Sequence, residues 1–216
     1  MSADTLSELL RAVRLRGAIF YYVEGIAPWV AEAPAAREIA PAILPGAEHM
    51  IEYHVVTQGR CFGALAGETA VTLDEGDIIM FPQGDAHVMS SGPGMRASKV
   101  DKAFFFSPRP EQLPYVLTQR GEEAAMRERP AALRHVDESR TTARLDGGGV
   151  DRAMVVCGFL GCDARPFNPL LSALPRLLHM PGAAGKSAWI DQFIRMAVDE
   201  SNAKRPGGEA VLERLS

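Results

Sequence analysis

No apolar run in this sequence approaches the roughly 20 residues that a membrane-spanning helix needs. Its opening, MSADTLSELLRAVRLRG, also lacks the apolar block and small-residue cleavage site of a signal peptide. Both absences point to a cytoplasmic protein with no membrane partner. Cysteine is scarce: three in 216 residues, too few for a disulfide framework. Basic charge is also in short supply, with 23 Lys and Arg against 27 Asp and Glu and a net charge of -4. That balance, with a pI near 5.8, is a poor footprint for gripping phosphate backbones. The sequence contains no G-x-S-x-G elbow, P-loop or dinucleotide fingerprint. What remains is a chain that is 47% hydrophobic and 23% charged. It is long enough for one sizeable core and a small helical lobe.

The stretch Glu52 to Ser91 organises the chain. It reads as two β-hairpins, EYHVVTQGRCFGALAGETAVTL and DEGDIIMFPQGDAHVMSS, separated by a turn. If Gln58 and Gly59 form a two-residue turn, Val56 faces Cys61 and His54 faces Gly63 across a ladder. Alternation then puts Glu52, His54, Val56 and Cys61 on one face. In the second hairpin, Gly76 and Asp77 lead into the apolar run Ile78 to Phe81. Pro82 and Gly84 supply the fixed and the permissive φ of a tight turn. The spacing from Gly76 to Pro82, Gly84 and His87 resembles the second motif of the cupin barrels, and Glu52, six residues, Gly59 resembles the end of the first. The HxH pair that should precede that glutamate is missing; only His49 is near, at the wrong offset.

The rest of the chain falls around this unit. Leu6, Leu9, Leu10 and Val13 form one stripe of an amphipathic helix from about Ser2 to Arg16. Ala18 to Val23 should be the first strand, and a short strand is expected near Ala42 to Leu44. Ala103 to Ser107 looks like a further strand, while residues 108–150 show no sustained period and read as an irregular insert whose glycine run, Gly147 to Gly149, is loop. Asp151 to Phe159 returns to strand character and carries Cys157. From Asn168 the pattern turns helical through Leu178, broken by Pro175. His179 then stands as a partner for the helix dipole. Longer helices are expected from Ser187 and from about Glu209, the last stopping at Ser216 in mid pattern.

The order of LSELLRAVRLRGAIFYYVE, YHVVTQGRCF, VTLDEGDIIMFPQGDAHVMS, VVCGFLGCD, NPLLSALPRLLHM and GGEAVLERLS resembles the N-terminal, cupin-like ligand-binding domain of AraC-type transcriptional regulators. The likeness runs nearly end to end; Phe62 stands where that family more often has Trp. It implies a mainly β fold with some α: a cupin, jelly-roll-like β-barrel over residues 1–162, then a C-terminal helical subdomain over 163–216 that pairs two subunits as a homodimer. It also implies a small-molecule effector, and DNA contact made by helix-turn-helix units that these residues do not contain, so that the chain would be truncated before a DNA-binding domain.

Four residues on strands facing one interior, His54, Cys61, His87 and Cys157, would make a tetrahedral N₂S₂ shell suited to zinc. A filled shell leaves no open position, so that metal would be structural or sensory. The alternative is that both imidazoles are hydrogen-bonded core histidines and both thiols small buried apolar groups. A second class of function stays open: a metal-dependent cupin enzyme, a dioxygenase or isomerase, acting through His49, Glu52 or His54, and His87. Cys162 is assigned to packing, and His135 lies in poorly patterned sequence.

Overall fold

Short β-rich runs bounded by Gly, Pro and Asp make this a strand-dominated chain. The computed structural model describes residues 16–97, 143–162, 169–182 and 192. In chain order the elements are β1 (Arg16–Ile26), β2 (Val30–Ala33), α1 (Ala36–Ile43), β3 (His49–Gln58), β4 (Cys61–Leu65), β5 (Val71–Leu73) and β6 (Ile78–Phe81). They continue with β7 (His87–Ser90), β8 (Ala143–Asp146), β9 (Arg152–Cys162), α2 (Pro169–Ala173) and β10 (Leu178–Met180). A six-stranded sheet runs β10-β6-β3-β9-β1-β8, and a four-stranded sheet runs β2-β7-β4-β5. Pairing is antiparallel except between β1 and β8, which run parallel.

Two expected hairpins do not exist as ladders. β3 lies in one sheet and β4 in the other; so do β6 and β7. Gly59, at φ 78°, turns the chain across from sheet to sheet, where a longer side chain would collide with the Arg152 carbonyl. The Pro82–Ala86 turn makes the second crossing. Its Gly84 has φ 65°, and a Cβ there would lie 2.6 Å from the Ala36 Cβ and 2.8 Å from the Met50 carbonyl oxygen. Because the chain crosses at these two places, the sheets stack face to face. Among the described residues no strand pair closes them into the expected barrel.

The core lies between the sheets. Val56, Ile79, Phe81, Val155 and Phe159 from one wall meet Cys61, Leu65, Leu73 and Met89 from the other. Contact is close enough that a Cβ on Gly63 would sit 2.6 Å from the Ile79 Cδ1. α1 plugs one side, burying Ile39 and Ile43 at i and i+4. A strand is expected from the sequence near Ala42–Leu44. Helix wins there because A-R-E-I-A supplies good helix formers with that apolar spacing, despite Pro41 inside the helix.

The C-terminal portion also differs from expectation. The described part of 163–216 holds a five-residue helix and a three-residue strand, so a helical subdomain is not supported there. Pro175 ends the helical run, and Leu178–Met180 instead satisfies its backbone groups by pairing with β6. Leu171 and Leu174 pack on the outer face of the six-stranded sheet beside Ile51 and Cys162, which bears out packing as the role of Cys162. β8 was not anticipated. It is followed by Gly147, whose N–H donates to Ile26, and Gly149, whose N–H donates to Ala27. The expected helix at Ser2–Arg16 lies outside the described residues except for Arg16, which opens β1; of the helix from Ser187 only residue 192 is described, and it is helical; the helix from Glu209, the strand at Ala103–Ser107 and His135 lie outside.

Candidate functional site

The period-2 alternation of β3 sends Glu52, His54 and Val56 inward. On one side their register partners are Phe159, Cys157 and Val155 of β9; on the other, Phe81 and Ile79 of β6 stand opposite Glu52 and His54. From the facing sheet comes His87, placed between Leu65 of β4 and Ala33 of β2. The two imidazoles meet across the gap, with Nε2 to Nε2 at 2.7 Å. Phe81 stacks on His87 at 3.8 Å with 15° between the planes and meets His54 edge-on at 6.0 Å. Glu52 Oε2 lies 3.8 Å from His87 Nε2. Glu52 and His87 are each only 1% exposed.

The hydrogen bonds fix the tautomers. His87 Nδ1 is 3.0 Å from the Asp85 carbonyl oxygen, which can only accept, so Nδ1 carries the proton. In a neutral ring the Nε2 of His87 is then an acceptor, and His54 must donate to it from its own Nε2. His54 Nδ1 is left as a lone pair, and it is one of two buried side-chain polar atoms without a partner among the described residues. The other is Glu52 Oε1.

Burial sets the charge state. It pulls His54 well below the usual imidazole range, with His87 adding to the effect, and it lowers His87 to about 4 against the opposing pull of Asp85. Burial also raises the Glu52 carboxyl well above its ordinary value. The 3.8 Å Glu52–His87 approach is therefore a contact of neutral groups rather than an ion pair, since both partners are pushed toward their uncharged forms. Cys61 is driven up to about 12, by burial first and Asp77 second. Cys157 is raised by burial, then by Cys61 and Glu52. Both are thiols and not thiolates, so neither is a ready nucleophile.

Of the four residues singled out in the sequence, His54 and His87 are brought together directly. Cys157 is the register partner of His54 on the same wall. Cys61 approaches from the opposite sheet, beside Leu73, and not as the hairpin neighbour of His54. His49 points away from the cluster and bonds the Pro82 carbonyl at 2.7 Å. His179 is not a helix-end residue: it sits in β10 and bonds Asp77 Oδ2 at 2.9 Å. Sequence reasoning missed Phe81 and the Asp85 carbonyl as members of the site. The parity of β6 could have revealed Phe81; the carbonyl left no trace in the pattern.

The donors suit a divalent cation in type: two neutral imidazoles, a carboxyl with an unpartnered oxygen, and two thiols at the margin. As they stand, the imidazoles bond each other, and among the described residues no group of three or more His, Cys, Asp or Glu is arranged to hold a metal. Binding would require the two rings to part and release their shared proton. No described helix is long and apolar enough to cross a membrane. A family model described as Cupin matches residues 4–216. No curated protein matches the chain.

Proposed function

From the membership of this chain in the cupin family, we propose that it is a sensory binding module: the effector-sensing and dimerisation domain of an AraC-type transcriptional regulator. The observation that carries the reading is the buried Glu52–His54–His87 cluster, a polar group of three in an apolar interior, two of whose atoms have no partner among the described residues. Leaving such atoms unbonded costs on the order of 1–3 kcal/mol each, which a stability-driven core would avoid by using apolar residues. The order of matching stretches along the chain supports the regulator assignment. The occupant is a small molecule, a zinc ion held by His54, Cys61, His87 and Cys157, or both. When bound, zinc would supply a closed structural or sensory centre, and the protein's part is to present neutral imidazoles and to release the thiol protons. With a net charge of -4, these residues leave DNA contact to others and pair two subunits.

Metal analysis of the purified chain tests this. Stoichiometric zinc lost in Cys61→Ala or Cys157→Ala supports the sensory centre, and disruption of the gene should alter transcript levels in the host. A salt-sensitive, sequence-specific gel shift by these 216 residues would contradict the division of labour. A second reading, a metal-dependent cupin enzyme, is favoured by one feature. Glu52 lies 3.8 Å from His87, so two imidazoles and a carboxyl, the donor types that bind non-haem iron, are neighbours without being arranged as a metal site. Redox-active iron bound independently of both cysteines would favour that enzyme over the sensor.

A further inference from the structure

The Pro82–Ala86 turn is gripped from two sides. Inside, the Asp85 carbonyl accepts the His87 Nδ1–H at 3.0 Å. Outside, the carboxylate of the same residue takes a forked bond from Arg176, at 2.8 Å from Nη2 and 3.2 Å from Nε. Two residues earlier, the Gln83 amide donates to the carbonyls of Leu171 at 2.6 Å and Leu174 at 3.3 Å. At the opposite end of β6, Asp77 accepts from the Gly182 N–H at 2.7 Å and from His179 at 2.9 Å. Between these clamps β10 lies along β6, with His179 opposite Ile79. The segment from Leu171 to Gly182 is therefore strapped down the length of the strand that ends at the site.

We propose that residues 171–182 are a latch whose hold on the six-stranded sheet is set by the orientation of the His87 ring, transmitted through the turn that both grip. The turn has little freedom to absorb a displacement. Gly84 is at φ 65° with no room for a Cβ, its N–H donates to Phe81, and its carbonyl accepts from Ala36. A ring rotation that breaks the Nδ1 bond frees the Asp85 peptide and so loosens one of the two carboxylates that hold Arg176, the other being Glu68 at 3.0 Å from Nη1. Anything that engages His87 from inside thus loosens the latch outside, and by linkage the latch biases His87. The coupling deepens the sensory reading and rests on it for its purpose. It is measured without effector, metal or DNA, so its failure would leave that reading standing, and failure of the metal or transcript tests would leave the coupling standing.

Hydrogen exchange on the full chain, read by mass spectrometry, tests it with two substitutions of one residue. His87→Asn keeps a donor near Nδ1 and loses the reach to His54; His87→Gln keeps the reach and loses the donor. The proposal expects peptides covering 178–182 to exchange at least about threefold faster in H87Q than in H87N. Equal latch exchange in the two overturns it. Should either variant fail to fold, the reverse direction decides. Arg176 is largely exposed, so Arg176→Ala is safe for folding, and it should move the ¹⁵N signal of His87 Nδ1. Arg60→Ala, which removes a comparable exposed pair with Asp74, should leave that signal in place. A His87 signal indifferent to both substitutions overturns the proposal.

Discussion

Removing the charge of Asp77 should lower stability at neutral pH and do little in acid. The side chain is 9% exposed and accepts three bonds: from the Gly182 N–H at 2.7 Å, from His179 at 2.9 Å and from the Asp74 N–H at 3.0 Å. Burial alone would raise its pKa. The bonds from Gly182, His179 and Asp74 outweigh that and hold the carboxyl below its ordinary value. In Asp77→Asn one oxygen can keep the Gly182 bond, but the new amide faces the Asp74 N–H as donor against donor, and His179 can stay bonded only by turning its Nε2 into an acceptor. Two bonds to a charged acceptor are lost, each worth roughly 1.5–3 kcal/mol. Part of that is recovered because His179 is half-buried and can turn to water, so we expect a loss of about 2–4 kcal/mol at pH 7. The sign with pH follows from the depressed pKa. Below the folded value both states are protonated and the contribution is gone; it grows as pH rises and is complete above the unfolded value of about 3.9. Urea unfolding of wild type and D77N at pH 7 and at pH 3 reads the difference. A gap that is the same at both pH values, or under about 0.5 kcal/mol at pH 7, would refute the reasoning, since surface substitutions without such bonds fall in that range.

Glu52 should behave in the opposite way. Its raised pKa means that the folded chain resists ionisation. Stability relative to Glu52→Gln should therefore fall as pH rises from about 4.3 toward the folded pKa; urea midpoints at pH 5 and pH 8 check this, and a widening gap in favour of wild type at pH 8 would contradict it. Gly84→Ala forces a side chain into a left-handed backbone 2.6 Å from the Ala36 Cβ and 2.8 Å from the Met50 carbonyl oxygen. The expected loss is at least about 1–2 kcal/mol from the backbone alone, read as a drop in the thermal midpoint. Phe81→Ala removes a fully buried ring stacked on His87. It should cost roughly 3–5 kcal/mol, and in a nuclear magnetic resonance spectrum the His87 ring signals should shift with loss of the ring current.

Strand existence was the most legible level of the fold, because period-2 runs such as Glu52, His54 and Val56 declare both the element and its inward face. Strand partnership was far less so. The Gln58–Gly59 pair carries the same signal for a two-residue hairpin as for a crossing between sheets, and only the Arg152 carbonyl packed against Gly59 decides it. The helix expected from Asn168 through Leu178 forms only over Pro169–Ala173, for a related reason. A leucine-rich run satisfies either period, and the deciding factor was the unpaired edge of β6, which Leu178–Met180 fills. At the site, side-chain donors were visible as residue types, whereas the Asp85 carbonyl that sets the His87 tautomer belongs to no type. His179 was misplaced because its partner, Asp77, is distant in sequence and near only once β10 docks.

The crossings matter more to the chemistry than the strands do. Were β3–β4 and β6–β7 ordinary hairpins, His87 would share a wall with Phe81 and Ile79, and two rings projecting from one sheet would run side by side. Because the chain switches sheets at Gly59 and at the Pro82–Ala86 turn, His54 and His87 approach head-on at 2.7 Å. The turn that delivers His87 to the interior then lies at the rim, where Gln83 is exposed and Asp85 half-buried, and both are gripped by the C-terminal segment. A residue buried at 1% exposure is thus two residues away from a surface clamp. The same switch that builds the cluster gives it a route to the outside of the sheet.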